Sequence, residues 1–97
     1  MTTEEASIAL EECRVRIDVL DRQIVELLNR RAKVVETIGD VKQKAGMRVY
    51  EPRREDQVYA NVAASNTGPL HDDSLRRVYE RLMDEMRTLQ RDRMAGQ

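Results

Sequence analysis

The stretch that decides the fold is residues 27–46, LLNRRAKVVETIGDVKQKAG. Its apolar residues continue a series that begins at Ile17. The series runs Leu20, Ile24 and Leu27, then Val34, Ile38, Val41 and Ala45. Steps of three and four residues mark one buried stripe along a helix, in a heptad-like seam. One step is missing, and the position that would fill it holds Arg31. Burying an unpaired guanidinium is costly, so an anion is expected to meet it.

Outward from this stretch, the seam extends towards the N-terminus through Leu10 and Cys13. The pattern runs on until Gly46, which sits where a left-handed C-terminal cap belongs. Thr2 or Thr3 is placed to cap the other end, with Glu4 and Glu5 near the positive pole of the helix dipole. A first helix is therefore predicted over about 3–45. After the linker Met47-Arg48-Val49-Tyr50, Pro52 takes a favoured first-turn position in a second helix, about 52–64, carrying Val58 and Val62. SNTGPLHDD, residues 65–73, is the clearest loop. Asp72 or Asp73 is expected to cap a third helix, about 73–94, with Leu75, Val78, Leu82, Met86 and Leu89 on its apolar face. The tail RMAGQ is expected to fray. The predicted fold is all-α, with three helices in one domain over 1–97 and the first helix very long.

Composition agrees with long helices. The chain has no Phe or Trp, 36% charged residues and a net charge of −1. With strong periodicity, that composition reads as helical rather than disordered. The near-neutral balance gives no reason to expect nucleic acid. No apolar run approaches the roughly 18 residues of a membrane span. The acidic MTTEEASIAL lacks a basic segment before an apolar one, so no secretory leader is visible. The single Cys13 excludes an internal disulfide and fits a reducing, cytoplasmic setting. It lies on the apolar stripe and reads as core. His71, the only histidine, reads as a surface or capping residue.

Helix length argues for a partner. A helix over about 3–45 spans roughly 63 Å at ~1.5 Å per residue, twice the ~30 Å of a small domain. Two shorter helices cannot cover its stripe, and an exposed seam of that size invites aggregation. An intertwined homodimer, with the long helices packed together, covers it. A broken first helix in a monomeric bundle is the alternative.

Polar residues on the inward faces mark the candidate site. Lys42 lies eleven residues after Arg31, about 20° from alignment and ~16 Å further along the helix. Val35 and Ile38 lie between them as an apolar floor. Arg14 lies ~25 Å before Arg31, out of reach of the same ligand within one helix but able to serve the site of another chain. Glu55 shares a face with Val58 and Val62, and Gln90 falls on the packed face of Met86 and Tyr79. Arg54 stands beside Glu55 in the first turn. Taken singly, each could be a snorkelled cation or a solvated polar group.

Taken in order, these residues resemble the all-helical, intertwined-dimer class of chorismate mutases. The resemblance covers ECRVRIDVLDRQIVELLNRRAKVVETIGDVK, VYEPRREDQV and VYERLMDEMRTLQ, nearly the whole chain. It carries the spacing from Leu20-Asp21 to Arg31 and Lys42, then Arg54-Glu55, then Gln90. It implies conversion of chorismate to prephenate on the shikimate pathway to aromatic amino acids. That rearrangement breaks a C–O bond as a C–C bond forms, and needs no cofactor or metal. The resemblance assigns Arg31 and Arg14 of the partner subunit to the two carboxylates. Lys42 would reach a carboxylate and the ether oxygen, and Gln90 would donate to that oxygen. Glu55 would accept from the ring hydroxyl, Arg54 would support the anionic end and Glu51 would line the pocket. Many relatives carry a small hydroxyl residue at the position of Met86, so Met86 removes one carboxylate contact or is simply core. Members also occur fused to, or complexed with, other enzymes of aromatic amino acid synthesis.

Two other functions fit the residues. Isochorismate-pyruvate lyase shares the fold and the cationic cradle, but its substrate carries the hydroxyl elsewhere on the ring, so Glu55 favours the mutase. A non-catalytic helical dimer or regulatory module gives no reason for Arg31, Lys42, Glu55 and Gln90 to share inward faces.

Overall fold

The computed structural model describes residues 1–96; of the tail 93–97 expected to fray, Arg93 and Met94 are instead helical, and Gln97 lies outside the described residues. Three helices follow in order: α1 (Thr3–Ala45), α2 (Pro52–Ser65) and α3 (Asp72–Met94). The second runs one residue further than expected and the third begins one residue earlier. No described helix is long and apolar enough to cross a membrane.

The ends of α1 are fixed by local chemistry. The Thr2 hydroxyl accepts from the Glu5 amide at 3.1 Å and donates to the Glu5 carboxylate at 3.0 Å. The first contact satisfies a backbone donor of the first turn, and the second holds the capping hydroxyl in place. At the other end Gly46 has φ +66°. The Met47 amide donates to the Lys42 carbonyl at 2.8 Å, and the Gly46 amide to that of Gln43 at 3.3 Å. This pair of bonds is a Schellman turn, which needs a left-handed residue at position 46. It turns the chain back towards Lys42.

The loop before α3 is organised by Asn66 rather than by an aspartate cap. The Asn66 side chain accepts from the Gly68 amide at 3.0 Å and donates to the Leu70 carbonyl and to Asp72 at 2.9 and 2.7 Å. The cap position of α3 falls on His71, which makes no capping bond through its side chain. Asp72 and Asp73 are instead the first residues of the helix, where their charge favours its positive end.

The chain divides into two compact units, Met1–Lys33 and the remainder from Val34. In the first, the helix leaves Ile8, Leu10, Ile17, Leu20, Ile24 and Leu27 exposed. Cys13 is exposed too, not core, since the helix of this unit has no partner face within the unit to cover it. In the second, the last turns of α1 pack with α2 and α3 around Val35, Val58 and Met83. The inward face of α3 centres on Met83 and Gln90, and Val78, expected on that face, is 59% exposed.

Candidate active site

Lys42 is buried, with 5% of its surface accessible. Its ammonium donates to the Val49 carbonyl at 2.8 Å and to Gln90 Oε1 at 2.9 Å, and pairs with Glu51 Oε1 at 2.6 Å. An ammonium has three donors, and here each meets an oxygen. The Schellman turn explains how: it folds Val49 and Glu51 back over the last turn of α1. Lys42 is therefore not a snorkelled surface cation. Its charge is held in place by a carbonyl, an amide and a carboxylate that is itself exposed.

Gln90 is the other buried polar residue among the described residues, 7% accessible. Lys42 has no acceptor, so the amide must present its oxygen to it. The amide NH2 is thereby turned away from the lysine as a free-standing donor end. Two features hold Gln90 there. Gly39, which the apolar periodicity passes over, is buried against it. A Cβ at position 39 would lie 3.4 Å from Gln90 Cγ and 3.5 Å from its carbonyl oxygen, so α3 packs against α1 here at van der Waals distance. One turn beyond Gln90, Arg93 grips Asp40 through two N–H groups at 2.9 and 3.2 Å, with Glu36 at 3.7 Å. That fork ties the end of α3 to α1.

Glu55 points inward, as expected from its face, but its carboxylate is already engaged. Arg87 Nη1 donates to Glu55 Oε2 at 2.5 Å, while Nη2 binds Asp84. The guanidinium lies 5.8 Å from the centroid of the Tyr50 ring. The hydrogen bond to Glu55 raises the Arg87 pKa above its already high ordinary value, against the opposing effect of burial. Sequence reading missed Arg87 because it sits in a charge-rich helix that reads as solvated. The one available signal was its spacing of three from Gln90.

The remaining predicted site residues divide. Glu51 joins Lys42 directly. Arg54 is exposed and reaches Gln57 at 3.4 Å, so it is not brought to the Lys42–Gln90 pair. Met86 is half-buried on α3. Val35 is buried but Ile38, the other half of the expected floor, is 41% exposed. Arg31 and Arg14 belong to the first unit. Arg31 is half-buried, and Arg14 is exposed with Glu11 at 3.7 Å.

A buried ammonium beside an amide whose NH2 it leaves unengaged can stabilise negative charge on a ligand oxygen. Comparison with known proteins gives that chemistry a family: residues 13–91 match chorismate mutase type II. The chain belongs to the type II chorismate mutase family. A bifunctional chorismate mutase/prephenate dehydratase of Neisseria gonorrhoeae is 37% identical over 78 residues, 80% of this chain and 21% of that protein. The form II structure of Thermus thermophilus chorismate mutase superposes with a TM-score of 0.84 at 28% identity, covering 86% of this chain and 94% of that one. Helicobacter pylori chorismate mutase, solved in complex with prephenate, has a TM-score of 0.84 at 25% identity, covering 92% and 97%. The chain spans about a quarter of the length of the first curated relatives it matches. All the site residues assigned by resemblance fall inside the stretch that matches the type II family.

Proposed function

We propose that the chain converts chorismate to prephenate, holding the substrate in a compact conformer while the ether C–O bond breaks and the new C–C bond forms. The observation that carries this reading is the Lys42–Gln90 pair. The lysine takes the amide oxygen and so leaves the amide NH2 as the end available to a substrate oxygen. That oxygen is the ether oxygen, which gains negative charge in the transition state. Lys42 becomes available to substrate by exchanging the exposed carboxylate of Glu51 for a substrate oxygen. Glu55 takes the ring hydroxyl. Arg31 and Arg14 of the partner subunit take the carboxylates, an assignment supported by the family pattern and by helix register, and suited to the bidentate fork of arginine. Arg54 and Met86 have lesser parts, since Arg54 is turned to Gln57.

The working unit is proposed to be the intertwined homodimer, supported by the row of exposed apolar residues from Ile8 to Val41 on α1. Association or fusion with another enzyme of aromatic amino acid synthesis, in the cytoplasm, is the setting we infer; the Neisseria relative is named as such a bifunctional protein. Incubating the protein with chorismate and with isochorismate in parallel, and identifying the products, tests the activity. Prephenate from chorismate is expected. Release of pyruvate from isochorismate without prephenate formation would assign the lyase instead, and no turnover of either would leave a non-catalytic dimer.

A further inference from the structure

The contacts of Glu55 assign a part in this reaction to a residue outside the family pattern described above. Glu55 on α2 lies one turn after Glu51, the N-cap of that helix, and Arg87 one turn before Gln90 on α3. The Arg87–Glu55 bridge therefore stands one turn away, along α2 and α3, from Glu51 and Gln90, which hold Lys42 of α1. The bridge is partly sheltered, with the side chains of Arg87 and Glu55 only 23% and 15% accessible. Arg87 is itself anchored on its second nitrogen by Asp84, which is more exposed. Glu55 is bound through Oε2, and its Oε1 receives no hydrogen bond among the described residues.

We propose that Arg87 is the positioning residue for Glu55: it occupies one carboxylate oxygen and so presents the other to the ring hydroxyl of the substrate. The inference rests on the chorismate mutase reading of the site. The physical ground is that a glutamate has three rotatable bonds, and an arginine that binds one of its oxygens while held at its other nitrogen by Asp84 reduces that freedom before substrate arrives. The guanidinium suits the task because its two ends hold Asp84 and Glu55 at once, which a lysine ammonium does less well. Arg87 need not touch the substrate. Its effect should run entirely through Glu55.

The test is a double-mutant cycle on the full chain, with kcat and KM for chorismate measured for wild type, Arg87→Met, Glu55→Ala and the double variant. Arg87→Met alone is expected to lower kcat/KM by roughly tenfold, the size of one well-placed hydrogen bond. In the Glu55→Ala background the same change should cost less than about twofold, because the residue it positions is gone. Arg87→Lys should fall between wild type and Arg87→Met, and carries the same cycle if the methionine variant does not fold. Additive losses, meaning the same fold-change in both backgrounds, overturn the proposal and put Arg87 on the substrate itself. An Arg87→Met protein with lowered thermal stability but undiminished kcat/KM also overturns it and leaves a structural bridge only. Failure of the unaltered protein to convert chorismate overturns both this inference and the reading beneath it, whereas turnover with additive losses overturns this inference alone.

Discussion

At the scale of single residues, Gln90 is the most informative. Its oxygen is held by Lys42 at 2.9 Å, so its NH2 is the end left for substrate. Replacing it by glutamate turns that donor into an acceptor whenever the carboxyl is ionised. Gln90→Glu is therefore expected to lose activity at pH 7 and to regain it as pH falls and the carboxyl becomes protonated. Lys42 beside it lowers the pH of that transition, while burial and bound substrate carboxylates raise it. Parallel pH profiles of kcat/KM for wild type and variant, with folding followed by circular dichroism, check the outcome. Profiles of the same shape would remove Gln90 from the reacting oxygen. Arg31 gives a second expectation at this scale. Arg31→Ala should lose nearly all turnover, by several kcal/mol of transition-state stabilisation, while the protein still folds. Near-normal kcat/KM in a folded Arg31→Ala protein would sink its assignment to a carboxylate.

At the scale of elements, the site depends on how α3 is fastened to the end of α1. Arg93 bridges to Asp40 and Glu36, and Gly39 is packed against Gln90. The hydrogen bond from Arg93 holds the Asp40 carboxyl below its ordinary value of 3.8, against the smaller opposing effect of desolvation. A carboxyl whose pKa is lower in the folded state stabilises the fold fully above its unfolded value. That contribution is lost as pH falls through the folded value. Urea unfolding of wild type and Asp40→Asn should therefore show a stability gap at neutral pH that narrows once pH drops below about 4. A gap that stays constant into strong acid would mean that the bridge contributes through packing rather than charge. Because Asp40 is solvent-accessible, added salt should narrow the gap as well.

At the scale of the whole molecule, the long seam is the feature that demands explanation. Leucines, isoleucines and valines from Ile8 to Val41 are exposed on α1, which is hard to reconcile with a soluble single chain. A second copy covers it most simply, since a two-fold interface sets the same surface against itself. The proposed exchange of Arg14 between subunits makes a sharp expectation. Arg14→Ala and Arg31→Ala chains should each be nearly inactive. Mixed, they should form heterodimers in which one site has both arginines and the other has neither. Activity up to about half that of a wild-type dimer should return, by site counting. Verified subunit exchange with no recovery would place both arginines in one chain's site, or give Arg14 another role.

The periodicity from Ile17 to Ala45, the Gly46 stop, the Pro52 start and the loop at 65–73 were enough to define three helices, because each signal acts through neighbours within a few residues. The same local patterns placed Lys42, Glu55 and Gln90 on inward faces. The family spacing gave roles to Arg14, Arg31, Arg54 and Met86, and those roles rest on the pattern and not on contacts, whereas Glu51 meets Lys42 directly. What the tertiary structure alone decided is which groups meet. Lys42 and Gln90 are 48 residues apart in the chain and Arg87 and Glu55 are 32 apart. Arg87 reads as one more charge on a polar helix until α2 lies against it. Gly39 reads as an incidental gap in the helix until Gln90 packs on it. Val78 and Met83 show the same limit, since each lies among apolar spacings yet only Met83 is buried. A helix's periodicity identifies an apolar stripe, but which edge of the stripe is covered depends on the angle at which the next helix crosses, and residues distant in sequence set that angle.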